Sequence, residues 1–211
     1  MTKGLLLIGA GGHARSCIDV IESAGMPIRG LVDKTERIGQ SVLGYAILGT
    51  DDELERLLLE SSGALVTVGQ IESAALRIAL YGRLEALGAR RPVIVAKSAT
   101  VSPHAQIGAG TIIMHGAIVN AAARIGENVI VNSRALIEHD CVVEDHCHVS
   151  TGAVANGAVK IGRGSFIGSG SMIREGVTIG AGSLIGAGSV VLGDCPENTD
   201  ARRGVWPRRS S

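Results

Sequence analysis

The chain has 211 residues, enough for one sizeable or two modest domains, and carries 20 Lys+Arg against 20 Asp+Glu. A formal net charge of zero gives no electrostatic footing for nucleic acid or an anionic membrane surface. No apolar run approaches the roughly 20 residues that span a bilayer, and the opening before Gly9 is too short for a signal peptide, so a cytoplasmic location is expected.

In chain order, Gly4 to Ile8 is a continuous apolar run, followed by Gly9-Ala10-Gly11-Gly12-His13-Ala14. Cys17, Ile18, Val20, Ile21 and Ala24 then share one face at helical spacing. Strand, glycine turn and helix make the first unit of a nucleotide-binding βαβ fold. Glycines let the backbone approach phosphate oxygens, and the amides of a helix N-terminus favour the anion. A second strand at Gly30 to Val32 ends in Asp33 and Lys34, which places the acid for a ribose or base. Thr50 with Glu53 forms a capping box for a helix over about 51–60. A third strand covers Ala64 to Val68 and ends at Gly69, a helix covers 72–87, and a short strand at Val93 to Val95 follows. About three strands are fewer than the six of a full dinucleotide fold, so a mononucleotide moiety fits better than NAD.

From residue 101 an aliphatic residue returns every six positions: Val101, Ile107, Ile113 and onward to Ile185 and Val191, with Ala155 the only member that is not β-branched. Two residues before each stands a small one, such as Ala117, Ala135 or Ser165, and a glycine often follows, as at Gly108 and Gly168. A six-residue period fits neither helix nor single strand. It is the period of a hexapeptide β-solenoid, with coils of about 18 residues and roughly five coils in all. Its interior is too narrow for rings, and aromatics are only 2% of the chain while glycine numbers 30. Glycines are expected to relieve the corners. The domains so read are 1–96, 97–196 and a C-terminal tail, 197–211. Cys141 and Cys147 fall on small inward positions and Cys17 on the apolar face of its helix, so all three read as packing residues.

With the inward positions filled, chemistry must come from outward ones, and His and acids concentrate between Asn132 and Gly157. Glu138-His139-Asp140 is followed by Asp145-His146-Cys147-His148. His139 and His148 both point out of the solenoid, and a His beside a carboxylate suits a general base. His146 reads as surface.

These motifs, in this order across nearly the whole chain, resemble the sugar acyltransferases of the bacillosamine-pathway and sialic acid O-acetyltransferase type. They run from Gly9-Ala-Gly-Gly-His-Ala14 through Val32-Asp33-Lys34 and Val68-Gly69 to Asn132, Glu138-His139-Asp140, His148 and Asn156-Gly157. The resemblance implies a small Rossmann-like α/β N-terminal domain followed by a left-handed parallel β-helix, assembled as a homotrimer with active sites between subunits and acetyl-CoA as co-substrate. His139 is then the general base and Asp140 its helper. His148 contacts the acetyl group, Gly157 offers its amide to the oxyanion, and Ser169 and Ala187 line the pantetheine arm. Gly11, Gly12, His13, Asp33, Lys34 and Gly69 hold the nucleotide of a nucleotide-linked amino sugar, with Asn132 either behind the substrate or in contact with it.

The expected reaction is N-acetylation of the 4-amino group of an amino-dideoxy sugar, with UDP as the expected nucleotide. O-acetylation of a sialic-type sugar is the near alternative. A zinc lyase of the γ-carbonic anhydrase type, drafting His139, His146 and His148, and a non-catalytic nucleotide-sugar-binding trimer are the distant ones. No metal is expected in the leading reading. One departure from the family is the ending Gly204-Val205-Trp206-Pro207-Arg208-Arg209, whose arginines are placed to meet coenzyme phosphates.

Overall fold

The computed structural model describes residues 3–202 and 204–206, so Arg208 and Arg209 and their expected phosphate contact lie outside the described residues. The chain divides into two compact units: Met1–Gly69 with Ala75–Lys97, and Gln70–Ala74 with Ser98–Ser211.

The first unit is a five-stranded sheet with helices. Its strands are β1 (Leu5–Ile8), β2 (Ile28–Val32), β3 (Ser41–Val42), β4 (Tyr45–Gly49) and β5 (Gly63–Val66), in the order β3-β4-β2-β1-β5. All neighbours are parallel except the β3–β4 hairpin. The helices are α1 (Gly12–Ser23), α2 (Leu54–Leu59) and α3 (Ala75–Ala86). Helix α1 buries Ala14, Cys17, Ile18, Val20 and Ile21, as its spacing predicts. The capping box at Thr50 and Glu53 is formed, and it opens a 3-10 turn at Asp51–Glu53 that runs into α2.

Two sequence readings need correcting in this unit. The sheet has five strands rather than three, because β3 and β4 are joined by the two-residue turn Leu43-Gly44, with both residues at positive φ (49° and 87°). Leucine is a poor resident of such a turn, so the hairpin leaves little trace in the sequence. The helix expected over 72–87 starts at Ala75, because residues 70–74 belong with the second unit.

The second unit is a parallel β-helix. Two-residue strands pair with strands eighteen residues away, as Ile118 with Leu136 and Leu136 with Val154, and they stack into three sheets. From Ile113 onward the aliphatic series is buried, as are the small residues two positions earlier. Interior hydroxyls and thiols are satisfied by backbone carbonyls: Thr111 Oγ1 donates to Gly126 O at 2.8 Å and Cys147 Sγ to Gly162 O at 3.1 Å. Burial pushes the thiols of Cys17 and Cys147 up to about 12 and those of Cys141 and Cys195 up to about 11, so all four are packing residues.

The corner geometry differs from the simple expectation. Left-handed backbone recurs at every sixth residue from Gly110 to Gly188, and it is taken by Ala122, Asn128, Arg134, Asp140, His146 and Ala158 as well as by glycines. The glycine that directly follows the aliphatic residue answers a different demand: a Cβ on Gly168 would lie 2.4 Å from the Ala187 nitrogen of the next coil. Close approach between coils, not φ, excludes side chains there. Past Val191 the coil shortens: Val190 pairs with Val205 and Leu184 with Asp200. The helix therefore continues into residues that the period alone assigns to a tail. Among the described residues no helix is long and apolar enough to cross a membrane.

Candidate active site

The period places Glu138-His139, Asn156-Gly157 and Arg174-Glu175 above one another on a single edge of the prism. His139 Nδ1 lies 2.8 Å from Asp140 Oδ2. A carboxylate only accepts, so Nδ1 carries the proton and Nε2 is left as the basic atom. The hydrogen bond to Asp140 is the main reason the imidazole pKa rises above its ordinary value, and the charges of Asp140, Glu138 and Glu175 add to it. Asp140 reaches its neighbour because it sits at the left-handed corner position, φ 59°.

The His139 ring lies over Gly157, where an added Cβ would come within 2.8 Å of Nε2. The Gly157 N–H donates to no described residue and is available to an oxyanion. Glu138 Oε2 accepts from Asn120 Nδ2 at 2.9 Å and from the His139 N–H at 3.3 Å, and Asn156 Nδ2 donates to Ile173 O at 2.7 Å. Together Glu138, His139, Gly157, Met172, Arg174 and Glu175 face a cavity of about 540 Å³. Sequence reasoning missed Arg174 and Glu175, although adding eighteen to 156 and 157 would have found them.

His148 is outward from the prism, as expected, yet it is buried, with 6% exposure. Its Nδ1 donates to the Gln70 carbonyl at 2.8 Å and its Nε2 faces Asn132 Nδ2 at 3.1 Å. The amide orientation is fixed because Asn132 Oδ1 accepts from the Ser133 N–H at 2.7 Å. The imidazole is thus held between the Gln70 carbonyl and the Asn132 amide, edge-on to Phe166 at 5.2 Å. Asn132, expected either behind the substrate or against it, contacts His148. The segment 70–74 that covers this histidine is also anchored by Gln70 Nε2 to Gly164 O at 3.0 Å and by the Glu72–Arg202 ion pair at 2.7 Å. His146, read as surface, is buried with 5% exposure and bonds Asn128 Nδ2 through Nδ1 at 2.9 Å, both residues at left-handed corners. Both ring nitrogens of His148 and one of His146 are therefore engaged, which removes the ligand set that a zinc lyase would draft.

Ser169 and Ala187 are exposed and stack on a different edge, where Ser169 Oγ meets Ser150 Oγ at 2.9 Å. This edge and the His139 edge border the same sheet, whose outward column includes Ile118, Met172 and Val190, each 37–51% exposed. One chain thus holds two separated parts of the expected site.

In the first unit Gly11 is the N-cap of α1 and Gly12 and His13 its first residues. Asp33 Oδ2 accepts from the Ala10 N–H at 2.7 Å and from Arg37 at 3.0 Å, and Arg37 also donates to Ala10 O at 2.8 Å. The acid expected to meet a ribose therefore also pins the glycine turn, a partnership with Arg37 that the sequence did not reveal. Gly69 permits close approach of His13, whose Cβ would lie 3.4 Å from an added one. Gly9, Asp33, Lys34, Asp51 and Arg83 face a cavity of about 470 Å³. Neither Gly11 nor Gly12 has positive φ, and a Cβ on either would meet nothing within 4 Å. The chain itself makes no demand for glycine there.

Comparison with known proteins matches residues 4–84 to the PglD N-terminal domain and residues 158–193 to the bacterial transferase hexapeptide (six repeats). Among solved structures, the acetyltransferase domain of PglB from Neisseria gonorrhoeae FA1090 is 34% identical with a TM-score of 0.86, over 92% of this chain and 94% of that one. A His-to-Asn variant of perosamine N-acetyltransferase from Caulobacter crescentus, in complex with CoA and GDP-perosamine, is 32% identical with a TM-score of 0.88, over 94% and 92%. WeeI from Acinetobacter baumannii AYE, 20% identical with a TM-score of 0.80 over 93% and 95%, shares the fold. No curated protein sequence matches the chain. The fold is a small α/β domain followed by a left-handed parallel β-helix of hexapeptide repeats. The chain belongs to the hexapeptide-repeat sugar acyltransferase family that carries a PglD-type N-terminal domain, and it is an acyltransferase.

Proposed function

We propose that this protein transfers an acetyl group from acetyl-CoA to the 4-amino group of a UDP-linked amino-dideoxy sugar, with His139 as the general base. The observation that carries the reading is the His139–Asp140 pair, 2.8 Å apart, with its ring over Gly157 and its second nitrogen toward an open cavity. The amine nitrogen attacks the thioester carbonyl carbon, and His139 Nε2 takes the proton that nitrogen loses. The Gly157 N–H stabilises the oxyanion. As the C–S bond breaks, the imidazolium returns the proton to the thiolate sulfur.

The N-terminal domain holds the nucleotide in this reading, between the α1 N-terminus (Gly11, Gly12, His13) and Asp33, Lys34 and Gly69. Support comes from the two glycines that nothing in the chain requires. Ser169 and Ala187 line the coenzyme arm, and the β-helix is the coenzyme-binding and catalytic domain. The separation of that edge from the His139 edge, with an exposed apolar column between them, supports a homotrimer in which two subunits complete each site. His148 in this reading lies behind the acyl pocket and shapes it through Gln70 and Asn132. The neighbours solved with acetyl coenzyme A, or with CoA and GDP-perosamine, support the donor and the amino-sugar class. The reaction is placed in the cytoplasm, where nucleotide sugars and acetyl-CoA are made.

The test is free thiol release from acetyl-CoA against UDP-, dTDP- and GDP-linked 4-amino sugars and free sialic acid, with His139→Ala alongside. Turnover of an amino-sugar nucleotide, lost in the variant, is expected. Turnover of sialic acid alone, or an unaffected variant, overturns the reading.

A further inference from the structure

The cavity beside His139 holds more negative charge than a base and its helper need. Glu138 is fixed through Oε2 by Asn120 and by the His139 N–H, which leaves Oε1 without a described partner. Glu175 lies one coil beyond Gly157 in the column that begins with His139, and it makes no hydrogen bond or ion pair with a described residue. Among the described residues Arg174 is the one arginine or lysine lining the cavity, and its guanidinium makes no hydrogen bond or ion pair with a described residue. Asn156, whose Nδ2 is engaged with Ile173 O, and Gly157 complete the lining beside the apolar Met172, Val190 and Leu192.

We propose that Glu138 and Glu175 are the specificity residues that select a protonated amine as acceptor over a hydroxyl. This rests on the proposed reaction and names what reads its acceptor. At neutral pH a sugar amine arrives largely as ammonium, a donor of three hydrogen bonds with a full charge. A hydroxyl offers one donor and no charge. Glu138 and Glu175 line the same cavity as His139, so an ammonium held there by their carboxylates is already beside the base. Before attack the ammonium gives one proton to bulk water. The neutral amine then attacks the thioester, and its second proton goes to His139. The charges that raise the His139 pKa are all acidic, Asp140, Glu138 and Glu175, so the field at the base is one a cation would enter. Arg174 acts in the opposite sense, and a preference that survives it is set by the two glutamates.

The experiment measures binding by calorimetry, without turnover, to the full-length protein saturated with CoA. The probes are GDP-perosamine, a UDP-linked 4-amino-4,6-dideoxy sugar, and the 4-hydroxy counterpart of each. Wild type should bind the amine of a pair on the order of tenfold more tightly than the hydroxyl. Glu175→Gln should erase most of that ratio by weakening binding of the amine alone. Glu138→Gln should act in the same direction. An unchanged amine-to-hydroxyl ratio in both variants overturns the proposal, as does equal binding of the two probes by wild type. Because the ratio is read without turnover, failure of His139 as base would leave it intact and would show separately in the thiol assay.

Discussion

Glycine does different work in the two units, and the contrast separates what the chain needs from what a ligand needs. In the β-helix, Gly168 is forced by the next coil, whose backbone stands 2.4 Å from where a Cβ would be. Gly157 is forced by a neighbouring side chain, the His139 ring at 2.8 Å. In the N-terminal turn, Gly11 and Gly12 are forced by nothing, and Gly12 begins a helix, where glycine costs about 1 kcal/mol against alanine. In the proposed function this glycine turn, at a helix N-terminus tied down by Asp33 and Arg37, is where the nucleotide comes close.

The contrast can be broken at four points. The largest effect is expected at His139: replacement by alanine should lower acetyl transfer by about 10²–10⁴-fold with the thermal transition unchanged, since the ring is exposed and only covers a glycine. Steady-state thiol release and calorimetry together check this. Gly168→Ala comes next. It should destabilise by about 3 kcal/mol, read as a lowered denaturation midpoint, because backbone rather than a flexible side chain must move. If Gly168→Ala were neutral, the coil-contact reading of these glycines would be wrong. Gly12→Ala should do the reverse: equal or greater stability by about 1 kcal/mol, with weaker binding of the nucleotide sugar by roughly tenfold, because the added methyl holds the ligand off the amides of the turn. Binding unchanged by that methyl would remove the ligand from the turn.

The smallest effect is a shift in pH dependence. The base must be neutral, so kcat/KM should fall on the acid side as pH drops through the His139 pKa, which stands above 6.5 chiefly because of Asp140. Asp140→Asn should therefore move that limb to lower pH and, by loosening the tautomer, lower the plateau. A limb that stays in place would show that Asp140 is not the partner that tunes the base.

Much of the site was legible because the repeat is arithmetic. The six-residue period fixes which residues face inward, and His139 and Asp140 stand out once the inward positions are assigned. Arg174 and Glu175 were within reach of the same arithmetic, one coil of eighteen beyond Asn156-Gly157. His146 was not: its burial against Asn128 depends on what covers a corner, and a periodic pattern does not report cover. His148 points outward as its register implies, but its burial was not legible, because residues 70–74, distant in sequence, close over it. The β3–β4 hairpin escaped for a local reason, a turn carried by Leu43 rather than by a residue that prefers positive φ.

The sequence alone therefore determined the β-helix, its inward residues, the glycine turn and the His139–Asp140 pair, all features set by neighbours a fixed number of positions away. Tertiary structure decided the rest: which histidine is accessible, which carboxylates share its cavity, that Asp33 is tied to Arg37, and that the parts of the site lie on two edges of one prism. Those depend on contacts between residues far apart in the chain, which carry no period to read.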